Sequence, residues 1–351
     1  MRAIRFHGKH DLRLEEVPEP TPGAGQVKLR IGYAGICGSD LHTYYSPEHS
    51  GTDYTVPHPV TGAELPQILG HEFAGEVVDV GSGVSAERIG QRVAVWPIYG
   101  CGHCFACDGG TDNACIDATF HGVASDGGGF SEFTVVPESQ LHVLPAKVDL
   151  KLGALVEPMA VAWHAARAAG DLRDRSVLVI GGGPIGIGLW HALRLQGAAQ
   201  VVVSEPSAGR RDVLAGLGAE LLHDPFTPDA ADELGRIAGG GPFDAIFDAA
   251  GSGPALNNAL PRLRPLGTLV VVALHEKAFD FDPTVLVLGE RRVLGVHGYT
   301  HEDYDQVIDA MSAGHYRTDG WVETAPLTAV ESSIHGLRNG DGSKILIEVA
   351  R

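Results

Sequence analysis

The sequence is short of three things. No apolar run approaches the roughly 18–20 residues of a membrane-spanning helix, and the opening stretch, MRAIRFHGKH, has no apolar segment of signal-peptide length. Positive charge is scarce: 26 Lys and Arg stand against 44 Asp and Glu, a formal net charge of −18. That balance argues against a nucleic-acid partner or an anionic membrane. Cysteine is scarce too, at five in 351 residues. Internal repeats and disordered linkers are also missing. These absences predict a cytoplasmic globular protein. In that compartment thiols stay reduced, and clustered cysteines are metal ligands more often than disulfides.

What is there begins with the placement of those five cysteines. Four fall within CGHCFACDGGTDNAC: Cys101, Cys104, Cys107 and Cys115. The spacing is C-x2-C-x2-C-x7-C, with glycines and small polar residues between, so the segment reads as a loop. Short spacers let four thiolates converge about 2.3 Å from a zinc ion in a closed tetrahedron. Such a site has no open position, so its task is to fix the loop. An iron–sulfur cluster or a chance grouping of surface thiols is the alternative.

The fifth, Cys37, stands in GICGSDLH after the apolar run QVKLRIGYA. A lone cysteine is more often an inert core residue. Two other segments alter that reading. QILGHEFAGEVVDVG places His71 and Glu72 at the head of an apolar strand, and GALVEPMAVAWHA sets Glu157 before Pro158 in apolar surroundings. A buried carboxylate needs a compensating cation. Cys37, His71 and Glu157 form a three-ligand zinc set that leaves one position open. Glu72 then stands beside them, as a supporting or occasional fourth ligand.

SVLVIGGGPIGIGLWHALRLQGA follows a different logic. SVLVI reads as a buried strand and the residues from Pro184 onward as a helix. Gly181, Gly183 and Gly186 make G-x-G-x-x-G at the turn, with Pro184 and Ile185 between them. The first glycine gives the tight turn, the second admits a pyrophosphate, and the third packs helix on strand. A second strand, VVVS, leads to Glu205, placed to accept hydrogen bonds from a ribose and to repel a 2′-phosphate. Arg210 and Arg211 lie just beyond and could favour that phosphate. The acid predicts NAD as the cofactor, with Arg210 at the site's edge.

From 152 to 292, helices and buried strands alternate, which predicts a doubly wound parallel sheet. Residues 1–151 read as short β runs between Gly/Pro turns, a mostly β domain. The last strand, KILIEVA, returns to that domain, so 293–351 completes it.

Taken together, GICGSDLH, GHEFAGEVV, the four-cysteine loop, LVEPMAV and VIGGGPIG resemble the zinc-containing medium-chain dehydrogenases, over essentially the whole chain. Glu157 matches the glutamate of the polyol and butanediol branch. The long insert YYSPEHSGTDYTVPHPVTGAELPQILGHEF, GGGFSEF and LVEPMAVAWHA are most similar to the (R,R)-2,3-butanediol branch. Trp96, in VAVWPIYG, departs from the glutamate expected before that proline.

The resemblance implies a GroES-like catalytic domain, a Rossmann-type coenzyme domain, two Zn2+ per chain and a homodimer or homotetramer. It implies a reactive zinc between the domains, where the nicotinamide arrives. It also implies a proton relay in which Ser39 takes the substrate proton and passes it through the cofactor ribose to His42. The expected reaction is NAD-dependent oxidation of a vicinal diol, or reduction of an α-hydroxyketone. Sorbitol-type and threonine dehydrogenases are the rivals within the family. A non-catalytic zinc- and dinucleotide-binding protein would be expected to lack a ligand or the relay, and this chain has all of those residues.

Overall fold

The computed structural model describes residues 1–349. The chain divides into two compact units, Met1–Glu157 with Thr300–Arg351, and Pro158–Tyr299.

The first unit is built on a seven-stranded sheet. Its central strand, Gln26–Gly35, pairs antiparallel with Glu72–Val80 and with Lys344–Glu348, and along its first half with Phe133–Pro137. Alternation explains the strand. Val27, Leu29 and Ile31 are buried while Lys28 and Arg30 turn outward, the period of a half-buried sheet. A smaller sheet joins Asp11–Glu16, Arg2–Gly8 and Gln67–Ile68. Phe6, Ile31, Phe73 and Phe130 lie in one apolar core with Ile347 from the far end of the chain.

The second unit holds a six-stranded sheet, all parallel. Its strands run in the order Leu222–His223, Gln200–Ser204, Ser176–Ile180, Phe243–Asp248, Leu263–Val271, Arg292–Gly295. SVLVI and QVVVS are near-continuous apolar runs because both faces of a central parallel strand are covered. The strand order reverses between Ser176–Ile180 and Phe243–Asp248. Ligands of such folds bind beyond the carboxyl ends of the strands at this reversal. The edge strand of this sheet, within ELLHD, pairs only over Leu222–His223. Helix Val156–Ala168 ends before Gly170, whose φ of +90° turns the chain.

Candidate metal centres and dinucleotide site

Cys37 caps the N-terminus of the helix Gly38–Tyr45. Its backbone N–H donates to Asp40 Oδ2 at 2.8 Å. His71 immediately precedes the strand Glu72–Val80, which the central strand holds in register with Gly35 opposite Glu72. The turn into it needs Gly70, at φ +92° and with a Cβ position only 2.8 Å from the Phe130 ring. Cys37, His71 and Glu72 thereby bring one ligand atom each within 4.8 Å of one another.

The electrostatics of this cluster are those of a cation site. Burial opposes a charge on His71, yet Asp40, the Cys37 sulfur and Glu157 raise its pKa well above the usual 6.5. Asp40 is itself buried, which raises its own pKa, and its Oδ1 lies 3.7 Å from His71 Nδ1. His71 Nδ1 and Glu72 Oε1 are buried with no hydrogen-bond partner. A divalent cation would satisfy such atoms and balance the surrounding negative charge.

Glu157, in the first turn of Val156–Ala168 and 5% exposed, acts electrostatically on His71 but lies outside the 4.8 Å cluster. Glu72 is the carboxylate grouped with Cys37 and His71, while Glu157 bears on His71 from the head of its helix. Ser39 Oγ is 3.3 Å from His71 Nε2. Half-buried His42 is three residues further on, so both lie on one face of the helix.

The four clustered sulfurs also lie within 4.8 Å of one another. Cys104 Sγ and Cys107 Sγ are 3.6 Å apart. A tetrahedron with bonds of about 2.3 Å sets its sulfurs about 3.8 Å apart, so this spacing fits zinc. The loop aims backbone donors at sulfur: Cys101 N–H and Asp117 N–H both donate to Cys115 Sγ. A donor from the Cys107 backbone is the largest influence on the Cys104 thiol, whose pKa falls to about 6. Burial pushes Cys107 up to about 12. One easily ionised thiol among reluctant ones is a cluster that a cation would complete.

In the second unit, Gly181 adopts φ +100° and Gly183 caps the helix Pro184–Leu195, with Pro184 at its start. A Cβ on Gly186 would stand 2.0 Å from Gly181 O, whereas one on Gly183 would meet nothing within 4 Å. The third glycine therefore allows close packing and the second faces open space. Ile185 lies in the helix's first turn. A cavity of about 740 Å³ opens here, lined by Gly181, Gly183, Glu205 and Arg210. Glu205 is buried, and its carboxylate accepts from Gly182 N–H at 2.6 Å and Ser207 N–H at 2.8 Å. Arg210 Nη1 stands 4.0 Å from Glu205 Oε2. Arg211 is already bound to Asp224 at 2.7 Å and to Glu205 O. Of the two arginines, only Arg210 lines the cavity.

Two family models match the chain: the alcohol dehydrogenase GroES-like domain over residues 23–146 and the zinc-binding dehydrogenase model over 184–313. The chain is 37% identical to an (R,R)-butanediol dehydrogenase of Bacillus subtilis, over 91% of this chain and 90% of the relative. This chain belongs to the zinc-binding dehydrogenases. It is 33% identical to a 2-dehydro-3-deoxy-L-galactonate 5-dehydrogenase of Pseudoalteromonas atlantica, over 99% of this chain and 98% of that one. The solved 2R,3R-butanediol dehydrogenase of Bacillus subtilis superposes with a TM-score of 0.89 at 35% identity, covering 99% of both chains. An Escherichia coli dehydrogenase solved with NADH gives 0.88 at 27% identity, again over 99% of both.

As a zinc-binding dehydrogenase the protein is an oxidoreductase with a GroES-like unit and a Rossmann-like unit. Its four-cysteine cluster could hold zinc. No helix among the described residues is long and apolar enough to cross a membrane.

One residue of this dehydrogenase went unread in the sequence. Lys344 is 2% exposed, and its Nζ donates to Ile36 O at 2.9 Å and to Glu72 Oε2. Burial opposes its charge, but Glu72 and Cys37 hold its pKa above the usual value. A Cβ on Gly35 would stand 1.9 Å from Glu72 Oε2, so only glycine leaves room for the pair. A lysine opening the apolar strand KILIE was the available signal. Trp96 stacks on the His301 ring at 4.0 Å between centroids, a contact that a glutamate at that position would lack. Tyr99 turns its hydroxyl to His121.

Proposed function

We propose that the protein oxidises a vicinal diol with NAD, (R,R)-2,3-butanediol to acetoin, and runs the reverse reduction. In this reading Cys37, His71 and Glu157 hold the reactive zinc, Glu72 is the exchangeable carboxylate beside it, and the four clustered cysteines hold the second ion. When bound, the zinc supplies Lewis acidity that eases ionisation of the substrate hydroxyl, and NAD supplies the hydride acceptor. The remaining work falls to side chains of this chain. Ser39 accepts the proton leaving the substrate hydroxyl. His42, on the same helix face, carries it towards solvent. Glu205 accepts from the adenosine ribose hydroxyls, and Gly181, Gly183, Pro184, Ile185 and Gly186 form the pyrophosphate turn.

The observation that carries the diol is Glu72 Oε1. One carboxylate oxygen is tied to Lys344 and the other is buried without a partner next to Cys37 and His71. A second substrate hydroxyl would donate there and fix which face of the carbon is presented. With Glu157 on the metal and Glu72 off it, a monoalcohol would leave that oxygen unsatisfied, at about 1–3 kcal/mol, or about one to two powers of ten in kcat/KM. The butanediol relatives support the choice, while the galactonate relative makes a polyhydroxy acid the rival. Initial rates with the 2,3-butanediol stereoisomers, 2-butanol, sorbitol, threonine and L-galactonate decide it. The reading fails if 2-butanol equals the diol, or if a rival substrate exceeds every butanediol isomer.

The working form in this proposal is a homodimer, or a homotetramer made of dimers. Arg292–Gly295 ends the parallel sheet with Val293 exposed, and the helix Thr284–Gly289 just before it in sequence exposes Val287 and Leu288. An apolar sheet edge of this kind is suited to a second copy. Four thiols gathered for metal require a reducing compartment, which fits a cytoplasmic location.

A further inference from the structure

A second cavity lies wholly within the unit that carries Cys37 and His71, yet neither lines it. It measures about 600 Å³ and is formed by the N-terminal strands, the insert around Val60–Gln67, and the segment around His121–Gly127. Its volume is in the range of small-molecule sites.

The inner wall is polar and uncharged. His121 is fully buried, and burial lowers its pKa to about 3, so the ring is neutral. Its Nε2 is 2.6 Å from Thr134 Oγ1, and its Nδ1 is 3.0 Å from the Tyr99 hydroxyl. Burial raises the Tyr99 pKa to about 12, so that hydroxyl keeps its proton. Ser125 spends its hydrogen on Gly127 O at 2.8 Å.

A neutral imidazole offers one N–H and one lone pair. If Tyr99 donates to Nδ1, then Nε2–H donates to Thr134 and the Thr134 hydrogen is left over. In the other tautomer the Tyr99 hydrogen is the one the ring does not use. In the first tautomer one hydroxyl donor is thus left over on the cavity wall, whereas in the second the Gln140 side chain lies against the Tyr99 hydroxyl. Gln67 Oε1, on a side chain 4% exposed, is a buried acceptor with no donor. One spare donor and one spare acceptor on the same cavity match an alcohol group, which gives one and takes one.

Charge narrows the occupant. Two cationic residues line the cavity: Arg5 is bound to Glu15 at 3.1 Å and to Pro66 O at 2.9 Å, and the Met1 ammonium donates to Val17 O at 2.8 Å. Exposed Glu64 and Asp126 disfavour an anion. The buried groups provide no counter-charge for an ion of either sign. We propose that this cavity is a second ligand site of the dehydrogenase, specific for an uncharged polyol.

The test is equilibrium binding of xylitol to the zinc-loaded, NADH-bound protein, by calorimetry and by ligand-observed NMR, without turnover. The result therefore stands whether or not butanediol is the substrate. Saturable binding is expected. Thr134→Val and Gln67→Leu should each weaken it by about tenfold or more, with NADH affinity unchanged. Cys37→Ser should leave it intact, which separates this site from the reactive one. Tyr99→Phe, at a half-buried hydroxyl, serves if Thr134→Val does not fold. Absence of saturable binding overturns the proposal. So does binding that Cys37→Ser abolishes, or that all the folded cavity variants retain.

Discussion

In the proposed reading, the two cysteine centres would use the same ligand atom in opposite ways. Cys101 to Cys115 is one loop, and its sulfurs converge because the spacers between them are short. The site at Cys37 has no such local logic. Its cysteine caps a helix, its histidine and first glutamate enter a strand, and the cation against that glutamate is 272 residues further along. A closed site can be local because it only has to hold one loop. A reactive site must keep a position open, so its walls come from separate elements fixed by the whole sheet.

Breaking each centre should therefore give different losses. The largest is expected for Cys37→Ala: turnover falls to background while NADH binding, measured by fluorescence, is retained. Loss of NADH binding as well would show that the two units do not work separately. Lys344→Met comes next. It leaves Glu72 buried without its cation, and about 3–5 kcal/mol of stability should be lost in urea unfolding. Zinc analysis on the same variant shows whether the freed carboxylate tightens or loosens the metal. Comparing Glu157→Gln with Glu72→Gln in that assay decides which carboxylate is the ligand: the greater loss of reactive-site zinc marks it.

Cys104→Ser should lower the zinc content from about two to about one per chain and destabilise the loop, with a smaller effect on kcat than Cys37→Ala. An unchanged zinc content would remove the closed site from the comparison. The smallest change is expected in the other unit. Glu205→Ser removes the acid that repels a 2′-phosphate while Arg210 remains at the cavity. The ratio of NADP to NAD efficiency should rise about tenfold, read from kcat/KM with each cofactor. A wild type that already favours NADP would contradict the part given to Glu205.

The same contrast explains what could be read in advance. The four cysteines and the glycine turn are local patterns, and spacing alone carries them. The place of Glu205, just past the strand Gln200–Ser204 and on the cavity with Gly181 and Gly183, was legible because one helix and one strand set its distance from the turn. Lys344 was not, since a lysine beside an apolar run normally reads as a strand-end cation in water, and only pairing of Lys344–Glu348 with Gln26–Gly35 buries it. Glu72 and Glu157 could be named but not ranked, because their distances to Cys37 depend on sheet register and helix placement.

The Glu72–Lys344 pair also bears on the order in which the protein can be made. Pro158–Tyr299 is continuous in sequence, so it can form its parallel sheet as soon as it leaves the ribosome. The unit that begins the chain cannot finish first. Until Lys344 has been synthesised, Glu72 has no cation to accompany it into the core. The incomplete sheet also lacks the strand that closes against Gly35. A nascent chain stopped before Thr300 would then carry a finished half and a waiting half, with Cys37 and His71 still wet.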